Sequence, residues 1–148
     1  SLSDIVLQMK NKQYLLDTNT LIEINAGTPS VISHLLAVGA ESCCMSVISL
    51  YELYYGAHYA KRIKTEYYER EMKMIHKLLE QCHVLGLPEN GGEYAELKNV
   101  LRETGLLIDE FDMLIAGQAL TEGLTIVTDN LKHFNRIPNL TIENWMER

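Results

Sequence analysis

Four acidic residues come from distant stretches of the chain, and each adjoins a run of apolar residues. They are Asp17, Glu52, Asp112 and Asp129. Carboxylates that share a site raise one another's pKa, and burial raises it further, so such a cluster is unfavourable without a cation. A set of oxygen donors with no histidine or cysteine nearby suits Mg²⁺ or Mn²⁺ better than zinc. The pattern therefore predicts metal-assisted phosphoryl transfer.

The elements that must position these acids are short strands alternating with helices. Strands are predicted over residues 13–16, 42–46, 83–85, 124–128 and 140–142, with helical apolar spacing between them. The segment 124–128 is the clearest strand because it is rich in β-branched residues. Such alternation predicts an α/β fold, a three-layer α/β/α sandwich on a mostly parallel sheet of about five strands.

In parallel α/β sheets, ligands bind at the carboxyl ends of the strands. Asp17 closes the first predicted strand and Asp129 closes the fourth. Glu52 lies in the first turns of the helix after the second strand, and Asp112 is expected just before an apolar helix. Each acid alone has a simpler explanation, as a helix N-cap, a turn residue or a solvated side chain. Their combination favours one shared site.

Composition is that of an ordinary globular protein. The chain has 148 residues, 47% apolar and 22% charged, which predicts one domain over 1–148 with residues 1–12 as a loose N-terminal segment. No apolar run reaches the ~20 residues needed to cross a bilayer, and no export signal is evident, so we expect a cytoplasmic protein. The net charge of −7 at first argues against a nucleic-acid partner. The argument weakens if the acids are concentrated at one metal site, because bound cations offset their charge. The basic segment 61–64 either contacts phosphates or is a solvated helix end.

Four segments, in their order and spacing, resemble the PIN-domain ribonucleases and, among them, the VapC-type toxins most closely. They are residues 15–22 with an Asp-Thr-Asn turn, 46–56, 112–129 and 134–145. The resemblance spans about residues 13–145. It implies a PIN fold and a metal-dependent endoribonuclease that leaves a 5′-phosphate and a 3′-hydroxyl. It also implies the toxin of a toxin–antitoxin pair, with a cognate antitoxin and a homodimer as partners.

The resemblance also implies roles for individual residues. The acidic metal-binding positions correspond to Asp17, Glu52, Asp112 and Asp129, and the polar positions that orient ligands or water correspond to Asn19, Ser46 and Thr128. Asp109 departs from the family pattern. It either joins the metal shell or is solvated, and the solvated interpretation is favoured.

A haloacid-dehalogenase phosphatase fits poorly, because it needs a second aspartate two positions after the first, where this chain has Asn19. Two other interpretations remain open at this point. A housekeeping PIN nuclease for RNA processing and a non-catalytic PIN binding module both fit the same motifs. The tyrosines crowded between positions 51 and 68 form either a dimer or antitoxin surface or part of the core.

Overall fold

The computed structural model describes residues 1–3 and 12–146. Its five strands are β1 (Tyr14–Leu16), β2 (Cys43–Ser46), β3 (His83–Leu85), β4 (Thr125–Val127) and β5 (Ile142–Glu143). They form one sheet in the order β3-β2-β1-β4-β5. Every pairing is parallel, and Tyr14 on the central strand lies opposite both Cys43 and Thr125. The predicted parallel sheet of about five strands is confirmed.

Helices connect the strands. They are α1 (Thr18–Ala26), α2 (Pro29–Val38), α3 (Val47–Lys61), α4 (Thr65–Gln81), α5 (Gly92–Glu103), α6 (Glu110–Glu122) and α7 (Leu131–Phe134), with a short 3₁₀ turn at Ala40–Ser42. Helices α1 and α6 end at Gly27 and Gly123, whose φ angles are 74° and 67°. A residue with a Cβ is strained in this left-handed conformation, so glycine stops both helices where the sequence predicts.

Two apolar clusters lie on opposite faces of the sheet. Leu15 of β1 belongs to the cluster on one face, which includes Leu101 of α5 and residues of α6. Its neighbour Leu16 belongs to the cluster on the other face, which includes Ile75 of α4 and residues of α1 to α3. Successive side chains of a strand point to opposite faces, so the buried strands are apolar on both sides. This arrangement confirms the three-layer α/β/α sandwich.

Two predicted boundaries are wrong by a few residues. Helix α6 begins at Glu110, so Asp112 lies in its first turn and not before it. The reason is that the Asp109 carboxylate accepts a hydrogen bond from the Phe111 amide at 2.9 Å and starts the helix ahead of its apolar run. The last strand covers Ile142–Glu143 instead of 140–142.

The predicted N-terminal segment falls largely outside the described residues, because 4–11 are not among them. The assignment of 1–148 to one domain stays a prediction. Within the described residues no single helix is long and apolar enough to cross a bilayer, although α1 and α2, bent by 104°, meet that criterion as a pair.

Candidate functional site

The strand order reverses between β1 and β4, and the candidate site lies at the carboxyl ends of these two strands. Open α/β sheets bind ligands at such a reversal point. A cavity of about 360 Å³ opens here, lined by Asp17, Thr18, Asn19, Glu52, Asp109, Phe111, Asp112, Ile115, Asn130 and His133. Three of the four predicted acids thus face one space, although they are far apart in the sequence.

Asp17 is both a helix cap and part of the cavity wall. Its Oδ1 accepts a hydrogen bond from the Thr20 amide at 2.9 Å, which starts α1, and its Oδ2 accepts one from the Thr128 hydroxyl. Only 7% of the residue is exposed. Burial raises the pKa of Asp17, although both hydrogen bonds favour the charged form. The N-cap role and the cavity role therefore coexist in this one residue.

Glu52 reaches the cavity from the second turn of α3. The Thr18 hydroxyl donates a hydrogen bond to its Oε1 at 2.9 Å. Burial raises the pKa of Glu52, the Thr18 hydrogen bond opposes this, and the negative charges of Asp112, Asp109 and Asp17 raise it further. The negative charges of three other carboxylates thus act on Glu52 across the cavity.

Asp112 has two polar partners on the chain segment after β4. Its Oδ2 accepts a hydrogen bond from Asn130 Nδ2 at 3.2 Å and lies 2.7 Å from His133 Nδ1. Burial raises the pKa of Asp112, and the His133 contact opposes that shift. The expectation of an acidic site with no histidine nearby is wrong, because α7 brings His133 into the cavity wall. The sequence did contain a signal for this contact. Asn130 and His133 follow Asp129 and are one helical turn apart, which places them on the same side of a helix.

The remaining predicted residues have different surroundings. Asn19 lines the cavity and its Nδ2 lies 3.5 Å from Oδ1 of Asp129, which places Asp129 beside the cavity and not in its wall. Thr128 is fully buried and links Asp17 to the Asn130 amide. Asp109 is exposed, lines the cavity and caps α6, and whether it joins the metal shell stays a prediction.

Ser46 does not line the cavity. Its hydroxyl accepts a hydrogen bond from the Ile48 amide at 3.0 Å and donates one to Oε1 of Gln118. Gln118 in turn donates to the carbonyl oxygens of Leu85 and Gly86 at 3.0 and 3.1 Å. Ser46 therefore joins α3 to α6 and to the end of β3. The role of Ser46 in orienting ligands or water stays a prediction.

The donor chemistry of the cavity fits a hydrated divalent cation. In the part of the chain that the structure describes, no three acidic, histidine or cysteine side chains converge tightly enough to enclose an ion. Mg²⁺ does not need such a cage, since it keeps several waters and binds through one or two carboxylates. Asp17, Glu52 and Asp112 present carboxylate oxygens to the same cavity. The four-acid ligand set remains a prediction.

Comparisons with known proteins agree with the geometry. The PIN domain family model matches residues 14–140. The chain is 36% identical over 135 residues to ribonuclease VapC2 of Haemophilus influenzae, covering 90% of this chain and 98% of that protein. It is 31% identical over 134 residues to the tRNA(fMet)-specific endonuclease VapC of Salmonella typhimurium, with the same coverage. The crystal structure of VapBC2 from Rickettsia felis bound to a DNA fragment from their promoter superposes with a TM-score of 0.79, at 34% identity over 90% of this chain and 98% of that one.

Proposed function

Because the chain belongs to the PIN-domain family, we propose that it is an endoribonuclease that hydrolyses RNA phosphodiesters and serves as the toxin of a VapBC-type toxin–antitoxin pair. The observation that carries this proposal is the convergence of Asp17, Glu52 and Asp112, from three separate stretches, on one cavity at the carboxyl edge of the sheet. The ribonuclease names of the similar proteins support the reaction class.

In this proposal Asp17, Glu52, Asp112 and Asp129 would hold a Mg²⁺ or Mn²⁺ ion, the first three from the cavity wall and Asp129 from beside it. A bound divalent cation would lower the pKa of water and stabilise the charge that develops on the phosphate during in-line attack. The chain's own polar groups set the orientation of the acids. Thr128 and the Thr20 amide fix Asp17, Thr18 fixes Glu52, and Asn130 with His133 fixes Asp112.

Burial contributes to this mechanism. The raised pKa values of Asp17, Glu52 and Asp112 all have desolvation as their largest cause. Electrostatic interactions are stronger where water is excluded, so carboxylates in this setting attract a cation more strongly than solvated ones. The proposed site therefore combines fixed orientation with a poorly solvated negative charge.

The proposed partners are an RNA substrate, a cognate antitoxin and a second copy of the chain. The similar VapBC2 structure supports an antitoxin, and the name of the Salmonella relative suggests transfer RNA as a substrate class. A nuclease of cellular RNA acts where that RNA is, which places the proposed activity in the cytoplasm. For the homodimer, Tyr55 and Tyr59 of α3 are 74% and 58% exposed, and α3 is the proposed contact. Light scattering should show a smaller mass when both are changed to alanine.

The proposed reaction is tested by incubating purified protein with total bacterial RNA in Mg²⁺, in Mn²⁺ and in EDTA. Discrete cuts that require metal and disappear in Asp112→Asn are the expected result, and sequencing of the 5′-phosphorylated ends would identify the substrate. Undiminished cutting in EDTA would rule out the metal mechanism. A folded protein that cuts no RNA under any condition would favour a binding module instead.

A separate experiment distinguishes a toxin from a housekeeping nuclease. Induction of the wild-type chain should arrest bacterial growth, and co-expression of a small protein encoded next to it should relieve the arrest. Growth arrest that needs Asp112 but has no such partner would favour the housekeeping function. The Asp112→Asn variant is the control for the burden of expression alone.

A further inference from the structure

The wall of the acidic cavity contains an exposed aromatic ring. Phe111 is 46% exposed and lines the cavity together with Asp17, Glu52 and Asp112. Phenylalanine is among the residues most often buried, so a half-exposed ring among carboxylates requires an explanation. The ring cannot be a metal ligand, because a phenyl group has no oxygen, nitrogen or sulfur donor atom.

The backbone that carries Phe111 is held in place. The Asp109 carboxylate accepts the Phe111 amide hydrogen at 2.9 Å. The following turn of α6 is anchored in the core by Met113 and Ile115, which are 2% and 1% exposed. The ring thus projects from a fixed helix start, one residue before Asp112. Its position relative to the acids is set by α6 and not by a mobile loop.

The electrostatics of the cavity limit what can lie against this ring. Four carboxylates repel the phosphate groups of RNA, so a phosphate enters only with a cation. A nucleobase is uncharged and presents a flat π-face. Single-stranded nucleic acids bind proteins by stacking unpaired bases on aromatic side chains, because such contacts need no charge.

We propose that Phe111 is a stacking platform for an unpaired nucleobase next to the scissile phosphate. The inference rests on the proposed RNA cleavage and adds a feature of the substrate, since the nucleotide beside the cut must be unpaired to stack. The exposed tyrosines of α3 are less suited to this role because Tyr51, Tyr55 and Tyr59 do not line the acidic cavity. Phe111 is therefore a substrate-positioning residue of the site.

The first test compares Phe111→Ala, Phe111→Leu and Phe111→Trp on the RNA that the wild type cuts in total bacterial RNA. Loss of one stacked base corresponds to about 5- to 150-fold in binding, so alanine should lower kcat/KM by about tenfold or more, mainly through KM. Tryptophan should retain activity, and leucine should be as weak as alanine because it lacks a π-face. Activity restored by leucine would show that apolar volume suffices and would overturn the proposal.

A matched control is Leu106→Ala. Leu106 is 43% exposed and precedes α6, but it does not line the cavity. Its truncation should leave kcat/KM unchanged. Equal losses in Leu106→Ala and Phe111→Ala would indicate a general effect of exposed apolar residues, contrary to the proposal. Circular dichroism of each variant verifies that the fold is intact.

The second test acts on the RNA. Synthetic copies of the mapped substrate carry an abasic nucleotide on one side of the cut or on the other, and binding is measured in the Asp112→Asn background. At one of the two positions, the abasic nucleotide should weaken binding to Asp112→Asn, which keeps Phe111. The same nucleotide should not weaken binding to the double variant that also carries Phe111→Ala. If the abasic nucleotide and Phe111→Ala weakened binding independently of each other, the proposal would be overturned.

If the wild type cuts no RNA, the proposed function fails. If it cuts RNA but Phe111→Ala cuts as well and instead escapes inhibition by the antitoxin, the ring binds protein and the stacking inference is wrong.

Discussion

Nδ1 of His133 lies 2.7 Å from Oδ2 of Asp112 and joins helix α7 to the first turn of α6. An ionised carboxylate only accepts hydrogen bonds, so the ring nitrogen is the donor towards the charged form of Asp112. Asn130 donates to the same oxygen at 3.2 Å. Two donors from the segment after β4 thus fix the orientation of a carboxylate that lies on a different helix.

We expect His133→Ala to lower RNA cleavage by about 10- to 100-fold, the usual cost of losing a partner that orients a metal ligand. Mn²⁺ affinity, measured by calorimetry, should fall in parallel. His133→Asn should recover part of both, since its amide can still donate. Lys132→Ala is the control because Lys132 is exposed on the same short helix. Unchanged Mn²⁺ affinity in His133→Ala would contradict the orienting role.

Glu52→Gln should stabilise the metal-free protein at neutral pH. Burial raises the pKa of Glu52, so its contribution to stability is fully present below the unfolded carboxyl pKa and is lost as pH rises through the raised value. A gain of about 1 kcal/mol would raise Tm by about 2–4 °C for a chain of this size. The advantage should disappear near pH 4, where wild-type Glu52 is protonated. Thermal denaturation in EDTA at neutral pH and near pH 4 measures the gain in Tm and its loss. The control is Glu69→Gln, on the exposed face of α4, whose Tm should equal that of the wild type at both pH values.

Divalent cations should stabilise the wild-type fold, because an ion that binds only the native state raises Tm with its concentration. Titration with MgCl₂ and MnCl₂ should therefore increase Tm progressively. The increase should be absent in Asp112→Asn and reduced in Glu52→Gln. If Ca²⁺, Mg²⁺ and K⁺ at matched ionic strength had the same effect on both proteins, the stabilisation would be non-specific screening.

Two serines near the start of α3 should respond oppositely to alanine. Ser46→Ala removes the cap of α3 and the partner of Gln118 Oε1, and should cost about 1–2 kcal/mol. Ser49 is fully buried and its hydroxyl has no hydrogen-bond partner among the described residues. Ser49→Ala should therefore leave Tm unchanged or raise it. Differential scanning calorimetry measures both, and a Ser46→Ala protein of normal Tm that lost activity would indicate a role in the reaction.

The parts of the site that follow strands were predictable from sequence. Asp17 comes directly after the apolar segment Tyr14–Leu16 and Asp129 after the β-branched segment 124–128, and the parallel sheet brings those ends together. The position of Asp112 was predicted less well, because helix α6 starts at a capping carboxylate and not at its apolar run. Capping is a local polar interaction that a hydrophobic pattern does not show.

His133 was not predicted because its helix, Leu131–Phe134, is a single turn. Four residues are too few to display helical periodicity, and only the packing of Phe134, which is fully buried, orients the turn. The hydrogen-bond partner of Ser46 was not predictable either. Its place beside the family's acidic residues suggested a role in the site, and in the structure its buried hydroxyl donates a hydrogen bond to Gln118. Which way a polar side chain turns depends on neighbours distant in sequence.

The sheet order has a consequence for synthesis of the protein. Thr128 and Asp17, which are hydrogen-bonded, are 111 residues apart, and β1 pairs with β4 as well as with β2. A nascent chain can pair β1 with β2 early, but it cannot place Asp129, Asn130 or His133 until the segment after β4 has left the ribosome. RNA cleavage by growing chains should therefore be absent until that segment has emerged and the site is assembled.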